Sequence, residues 1–373
     1  MKCIQCAAEN NLKDRTANSG RCKNCNHPFA FEPTIMDVKI RFTDGFFAKA
    51  LSDISANDTL YFTPKQLLYL LEKRLGRKVA MGERVARIIP GVFLVAIGFF
   101  TAVFGIGLLI IPIGLWLIIS GLRRPVRRSE PHRDVVLTNT MVNTWLQQWQ
   151  RYNPPPTKLL PPPSAAASLA PAADDVTAYS FDRVLVCDSV AIAQLLIANN
   201  IHFEHNCAVL SITGYPRTIF ATTMAMLRRN PDLQVIALHN CSPRGVALVQ
   251  ELRTSPDWFA ENTPMIFDLG LLPRQIEAAR QQAYIQVSTD SAQAAKTMSA
   301  EVRQSLSETE LQWLEAGYFV ELESFTPQRL MQIVSRGIAR LQNLGEDVDD
   351  NLILVGDVGS SGGTFIYAAD NFG

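Results

Sequence analysis

Residues 181–200 read FDRVLVCDSVAIAQLLIANN, and this stretch decides the fold of the C-terminal half. Phe181 to Cys187 predicts a strand, and its Val184–Cys187 is a short apolar run without alternation, as expected where both faces are covered. Ser189 to Asn200 then predicts a helix. The pattern repeats downstream. Cys207–Ile212 predicts a second strand, Thr218–Asn230 a helix, Gln234–Leu238 a third strand, Pro243–Thr254 a helix and Met265–Phe267 a short fourth strand. Strands alternating with helices specify an α/β domain with a mainly parallel sheet, here residues 179–373. In such sheets ligands gather at the carboxyl ends of the strands. Those ends carry Cys187 and Asp188, Thr213 and Gly214, and His239-Asn240-Cys241-Ser242.

The segments VLVCD (184–188), ITG (212–214) and IALHNCSPRG (236–245) resemble the Toprim domain of primases, topoisomerases and topoisomerase VI A subunits, over about 90 of the 373 residues. The resemblance implies a Glu after the first strand and an Asp-x-Asp after the third, which hold magnesium for phosphodiester chemistry. The first position corresponds to Cys187 or Asp188, and the acidic pair to Asn240 and Ser242. One carboxylate, one amide and one hydroxyl are a poor cage for magnesium. The domain is therefore expected to be a degenerate Toprim-like fold that binds or assembles without catalysis, with Asp188, Gly214, Asn240, Ser242 and Gly245 as ligand-binding candidates. His239 and Cys241 are not expected to pair as base and nucleophile. Cys187, Cys207 and Cys241 are expected to be buried small residues. HFEH at 202–205 lacks the spacing of a zinc-binding helix. Val355–Gly363 reads as a flexible turn, and Glu346, Asp347, Asp349 and Asp350 as a solvated loop.

At the other end, Cys3-x2-Cys6 and Cys22-x2-Cys25 have the spacing of a four-thiolate zinc site. Two residues between cysteines let both sulfurs of a knuckle reach one ion, and two knuckles close a tetrahedron. The intervening Ala7–Arg21 is too polar to pack alone, so metal binding is expected to supply folding energy. Residues 1–34 are thus expected to form a zinc ribbon with a structural, closed site, and His27 is superfluous to it. Residues 35–87 predict a small helical adaptor, with helices at Asp44–Ile54 and from Thr63-Pro64 onward, and a short strand at Thr59–Phe62.

Residues 88–122 contain no charge. As one helix they would run about 52 Å against a ~30 Å hydrocarbon core. Basic residues flank both ends: Lys73, Arg74, Arg77, Lys78, Arg84 and Arg87 before, Arg123, Arg124, Arg127 and Arg128 after. That pattern points to a transmembrane hairpin turning near Gly105 and Gly107, with both termini in the cytoplasm. Residues 123–152 are expected to form an amphipathic juxtamembrane helix, with Trp145 and Trp149 on one face. The Pro/Ala-rich residues 153–178 predict a linker.

The zero net charge conceals an asymmetry. Residues 1–150 hold 20 basic and 11 acidic side chains, residues 151–373 hold 15 and 24. The acidic half opposes nucleic acid, whose binding draws on Lys and Arg. The expected function is a membrane-anchored cytoplasmic zinc-ribbon protein with a non-catalytic Toprim-like module. Its expected partners are the lipid bilayer and a protein. The alternatives are a membrane-tethered metal-dependent enzyme acting on phosphodiesters or nucleotides, and a nucleic-acid adaptor using the ribbon.

Overall fold

Arg183–Cys187 (β1), Cys207–Ser211 (β2), Gln234–Leu238 (β3) and Ile266–Gly270 (β4) form one sheet, parallel throughout and ordered β2-β1-β3-β4. The computed structural model describes residues 1–101, 107–123, 136–162, 181–230, 233–260, 264–278 and 283–343. The chain divides into two compact units, Met1–Lys49 with Leu70–Pro154, and Ala50–Tyr69 with Pro155–Gly373.

The sheet belongs to the second unit. Successive side chains of a strand point to opposite faces, and here each face meets its own core. Leu185, Cys187, Val209, Ile236 and Leu238 enter one, with Ile192, Leu195 and Leu196 of the Val190–Ala198 helix and Leu330, Val334 and Ile338 of the Pro327–Asn343 helix. Val184, Val186, Ala208, Leu210, Val235 and Ala237 enter the other, with Met224 and Leu227 of the Arg217–Arg229 helix and Leu248 and Leu252. The predicted helix at Pro243–Thr254 is broken at Ala247 into Pro243–Val246 and Leu248–Thr254. A short antiparallel ribbon, Gln286–Val287 with Tyr318–Phe319, lies beyond the sheet in sequence.

Residues 50–69 belong to this same unit. The predicted strand at Thr59–Phe62 is reduced to one parallel bridge between Phe62 and Leu159. Thr63 and Gln66 form a capping box that starts the Pro64–Thr101 helix: Gln66 N–H donates to Thr63 Oγ1 at 3.1 Å, and Thr63 N–H donates to Gln66 Oε1 at 3.0 Å. A polar clasp follows on the same helix. Lys65 Nζ lies 2.8 Å from Glu321 and 3.6 Å from Glu323, Thr63 donates to Glu323 at 2.9 Å, and Tyr69 donates to Glu321.

In the first unit, aromatic residues form the core. Phe42 meets Phe31 at 4.8 Å and Trp145 at 4.9 Å, and Trp149 meets Phe47 at 5.4 Å. Trp145 and Trp149 project from the Asn139–Gln150 helix, capped by Thr138. The buried Asp44 accepts N–H bonds from Ala30 and Phe31, both 2.9 Å, and ties the chain after the second knuckle to the Asp44–Ile54 helix.

The membrane expectation is overturned. Among the described residues no helix is long and apolar enough to cross a membrane. The charge-free run does not form one rod. Its first part ends the Pro64–Thr101 helix, whose preceding turns are charged, and from Ile88 to Thr101 it offers only about 21 Å at ~1.5 Å per residue. The second part, Gly107–Arg123, has 17 residues, or about 26 Å, against the ~30 Å required. The transmembrane hairpin, the two-pass membrane localisation and the fold class built on them are therefore corrected to an N-terminal cysteine cluster and a C-terminal parallel α/β region. The two helices do pack: a Cβ at Gly114 would stand 2.8 Å from the Gly91 carbonyl oxygen. The turn at Gly105, the basic residues 124–128, most of the Pro/Ala-rich stretch, the acidic loop at 346–350 and the glycine-rich turn at 355–363 lie outside the described residues.

Leu185 is fully buried at the centre of the sheet. Leu185→Ala is expected to destabilise the protein by about 2–5 kcal/mol, read as a lowered urea midpoint with an unchanged denaturant slope.

Candidate functional site

Cys3, Cys6, Cys22 and Cys25 come together, with their sulfurs all within 4.8 Å of one another. Cys3 Sγ lies 3.7 Å from Cys25 Sγ, and Cys6 Sγ lies 3.6 Å from Cys22 Sγ. Four sulfurs placed ~2.3 Å from one zinc in a tetrahedron stand ~3.7–3.8 Å apart, and these two edges fit that spacing. The two knuckles share one local plan. Cys3 N–H donates to the Ala8 carbonyl and Ala7 N–H to the Cys3 carbonyl, both 3.0 Å. Cys22 N–H donates to the His27 carbonyl at 2.8 Å and Asn26 N–H to the Cys22 carbonyl at 3.0 Å. Ala7 and Asn26, each directly after the second cysteine of its pair, take left-handed φ values of 59° and 58°. The bridges Lys2–Glu9 and Arg21–Pro28 close the two knuckles.

Donors converge on the sulfurs. Asn10 Nδ2 donates to Cys22 Sγ at 3.4 Å and Asn24 N–H does so at 3.5 Å. The Cys22 thiol is lowered to about 6, chiefly by the backbone amide of Cys25. At Cys25 the backbone of His27 favours the thiolate, but desolvation and the sulfurs of Cys6, Cys3 and Cys22 prevail and push it up to about 12. Four thiols this close cannot all ionise against one another; a divalent cation removes that conflict. His27 stands outside the cluster. Arg15, itself buried, braces the cysteine-bearing segment by donating to Glu32 at 2.8 Å and to the Asn10 carbonyl at 2.9 Å.

The second candidate lies at the carboxyl edge of the sheet. From β1 the chain moves to β2 on one side, then crosses to β3 on the other. The ends of β1 and β3 therefore meet at the topological switch point, where open α/β sheets leave a crevice. Asp188 and Asn240 sit there together, and Asn240 N–H donates to Asp188 Oδ2 at 2.8 Å. Asp188 Oδ1 is buried and has no hydrogen-bond partner among the described residues. Burial raises this carboxyl above the ordinary range, against the Asn240 amide and the charges of His239 and Arg244.

The remaining predicted residues are committed to structure. Asn240 Oδ1 accepts from Leu322 N–H at 2.7 Å. Ser242 caps the Pro243–Val246 helix, accepting from Gly245 N–H at 3.1 Å. Gly245 packs so close that a Cβ would fall 2.0 Å from the Asn240 carbonyl oxygen. Gly214 makes the turn after β2 with φ +76°. Cys187, Cys207 and Cys241 are buried, and burial raises all three thiols.

The residue that sequence reasoning missed is Asp268. It accepts from His239 Nε2 at 2.9 Å, so His239 is paired with an acid and not with Cys241. The available signal was a single acid inside FDLG, an otherwise apolar strand. No protein-family model matches the chain, and no curated protein matches it. The Toprim resemblance accordingly rests on the residues alone.

Gly245→Ala is expected to destabilise by about 1–3 kcal/mol, because the new methyl meets backbone rather than a movable side chain. Gly76→Ala, in open space within a helix, is expected to stabilise by up to about 1 kcal/mol. Opposite shifts of the urea midpoint check the pair.

Proposed function

We propose that the protein is a zinc-stabilised binding protein. A structural zinc organises its N-terminal ribbon, and its α/β unit binds or assembles with a partner instead of cutting phosphate esters. The observation that carries the zinc reading is the pair of sulfur separations, 3.7 and 3.6 Å, which match a tetrahedral edge. All four positions are thiolate donors, which favours zinc over magnesium or calcium and leaves no fourth position open for a reacting water. A site of this kind supports folding rather than chemistry.

The non-catalytic reading of the α/β unit is supported by how its switch-point groups are spent. The Asn240 amide oxygen and the Ser242 hydroxyl hold backbone N–H groups, and Asp268 holds His239. That leaves one oxygen of Asp188, and it is buried. A magnesium site for phosphoryl chemistry draws on several carboxylate oxygens around an open coordination sphere. The degenerate Toprim-like identity of this unit is the finer form of the same proposal.

Metal analysis of the full chain, purified without added metal, is expected to give one zinc per chain, and Cys22→Ser is expected to lose it together with cooperative unfolding of the first unit. Metal-free protein with four freely titratable thiols would remove the ribbon reading. Calorimetric titration with magnesium is expected to give no binding heat. A heat that disappears in Asp188→Asn, accompanied by phosphodiester hydrolysis, would replace the binding role with a catalytic one.

A further inference from the structure

His239 follows β3 and has no exposed surface. Both of its ring nitrogens face oxygen. Nε2 lies 2.9 Å from Asp268 Oδ1, and Nδ1 lies 2.9 Å from the Asn240 carbonyl. A carbonyl oxygen only accepts, so Nδ1 must donate. The Asp268 carboxylate also accepts from Gly270 N–H at 2.8 Å, so Nε2 donates too unless the acid itself carries the proton. In either arrangement the His239–Asp268 pair holds one proton more than a neutral imidazole beside a carboxylate.

The same proton organises the turn at the switch point. The Asn240 carbonyl takes Nδ1–H and Ser242 N–H (2.9 Å), and the Asn240 N–H goes to Asp188. Cys241 exchanges two backbone bonds with Val320, each 2.9 Å, and Leu322 N–H holds the Asn240 side chain. His239 N–H and C=O bond across to Gly270 and Leu271 at 3.0 and 2.7 Å. The charged groups that act on this cluster are Asp268 on β4, Asp188 after β1, Arg244 near Asp188, Arg274 near Asp268, and Glu310, which pairs with Arg274. With His239 charged, its cation faces the half-buried carboxylate of Asp268 and feels that of Asp188. With one proton fewer the ring keeps a single N–H, so a nitrogen lone pair faces either the Asp268 carboxylate or the Asn240 carbonyl, and both carboxylates lose the cation beside them.

We propose that His239 is a buried proton latch: protonated on both ring nitrogens it ties the Asn240–Ser242 turn to Asp268 at the carboxyl edge, and loss of one proton leaves one of the two contacts without a donor and loosens that turn. Burial opposes the charge on His239, but Asp268, the Asn240 carbonyl and Asp188 outweigh it and raise His239 above its ordinary value. Burial likewise opposes ionisation of Asp268, and His239 outweighs it and holds that carboxyl low. A histidine raised on folding stabilises fully below its unfolded value, ~6.5, and the contribution is lost as pH rises through the folded value. A lowered aspartate contributes above ~3.9, and its contribution is lost as pH falls through its folded value. The latch is thus complete from about pH 4 to beyond about pH 6.5 and opens as pH rises through the folded value of His239.

The test uses the full chain with 15N-labelled histidine rings, with His239 assigned by its absence in His239→Gln. Ring-nitrogen shifts are expected to show both His239 nitrogens protonated at neutral pH. Hydrogen exchange, corrected for the intrinsic pH effect, is expected to lose about tenfold protection at 240–242 and 320–322 when His239 deprotonates, while 184–187 stay protected. Asp268→Asn is expected to move both events to lower pH. If that variant does not fold, the wild-type titration decides. A neutral His239 ring at pH 7, or protection at 240–242 that stays level while the ring titrates, would overturn the proposal.

Discussion

Burial of β1 on both faces is the constraint from which the second unit follows. Val184, Leu185, Val186 and Cys187 have no exposed surface, and alternate members of this run enter different cores. A strand so placed has no face for a polar group. Its neighbours β2 and β3 must also be apolar, and helices must close the sheet above and below. Ionisable chemistry is left to the strand ends. Asp188 occurs on the first residue after β1, and His239 on the first after β3. The reversal of strand order brings those two ends side by side.

What collects at that edge is a network with little spare capacity. A buried polar group without a partner costs roughly 1–3 kcal/mol, which accounts for the density of the bonding. The backbone of residues 239–242 and 320–322 is joined to Asp188, Asn240 and His239 by side-chain and main-chain bonds together. Asp188 Oδ1 is the exception. An uncompensated oxygen close to a histidine cation is tolerable because the cation lowers its cost. Histidine, Asp188 and Asp268 therefore have to be considered as one charge system.

The sheet was legible because its first three strands centre on short apolar runs, Val184–Cys187, Cys207–Leu210 and Val235–Leu238, between turn residues. Gln234–Leu238 is bounded as the sequence suggests, and β1 and β2 differ only by one or two end residues. The cysteine cluster was legible because knuckle spacing is a covalent constraint. Asp268 was missed because the predicted fourth strand stops at Phe267, where the first acid breaks the run. Its partner His239 is 29 residues away, and no local pattern announces the pairing. The clasp of Lys65 on Glu321 spans 256 residues and is beyond any window of periodicity. The charge-free stretch misled for a different reason. The missing charge and the basic flanks pointed to two crossing arms, whereas crossing depends on the apolar length of each helix, and neither described helix supplies ~30 Å of it.

The ribbon raises a separate question of what holds so small an element. Its apolar content amounts to Phe29 and two buried cysteines, with Met1, Cys6 and Ala8 around them. That is too little to offset the entropy of ordering some thirty residues at roughly 1–2 kcal/mol each. The knuckle hydrogen bonds and the Asn11–Asp14 capping box fix local geometry but contribute little net energy apiece. Arg15, midway along the segment, ties it to Glu32 just beyond, yet a single ion pair with one partly exposed partner is no substitute for a core. The chain beyond Phe29 is better supplied, with Phe31 inside the aromatic core and Asp44 gripping Ala30 and Phe31. The deficit is therefore confined to residues 1–29, where the four sulfurs are. A bound ion there would do for the ribbon what the aromatic cluster does for the residues that follow it.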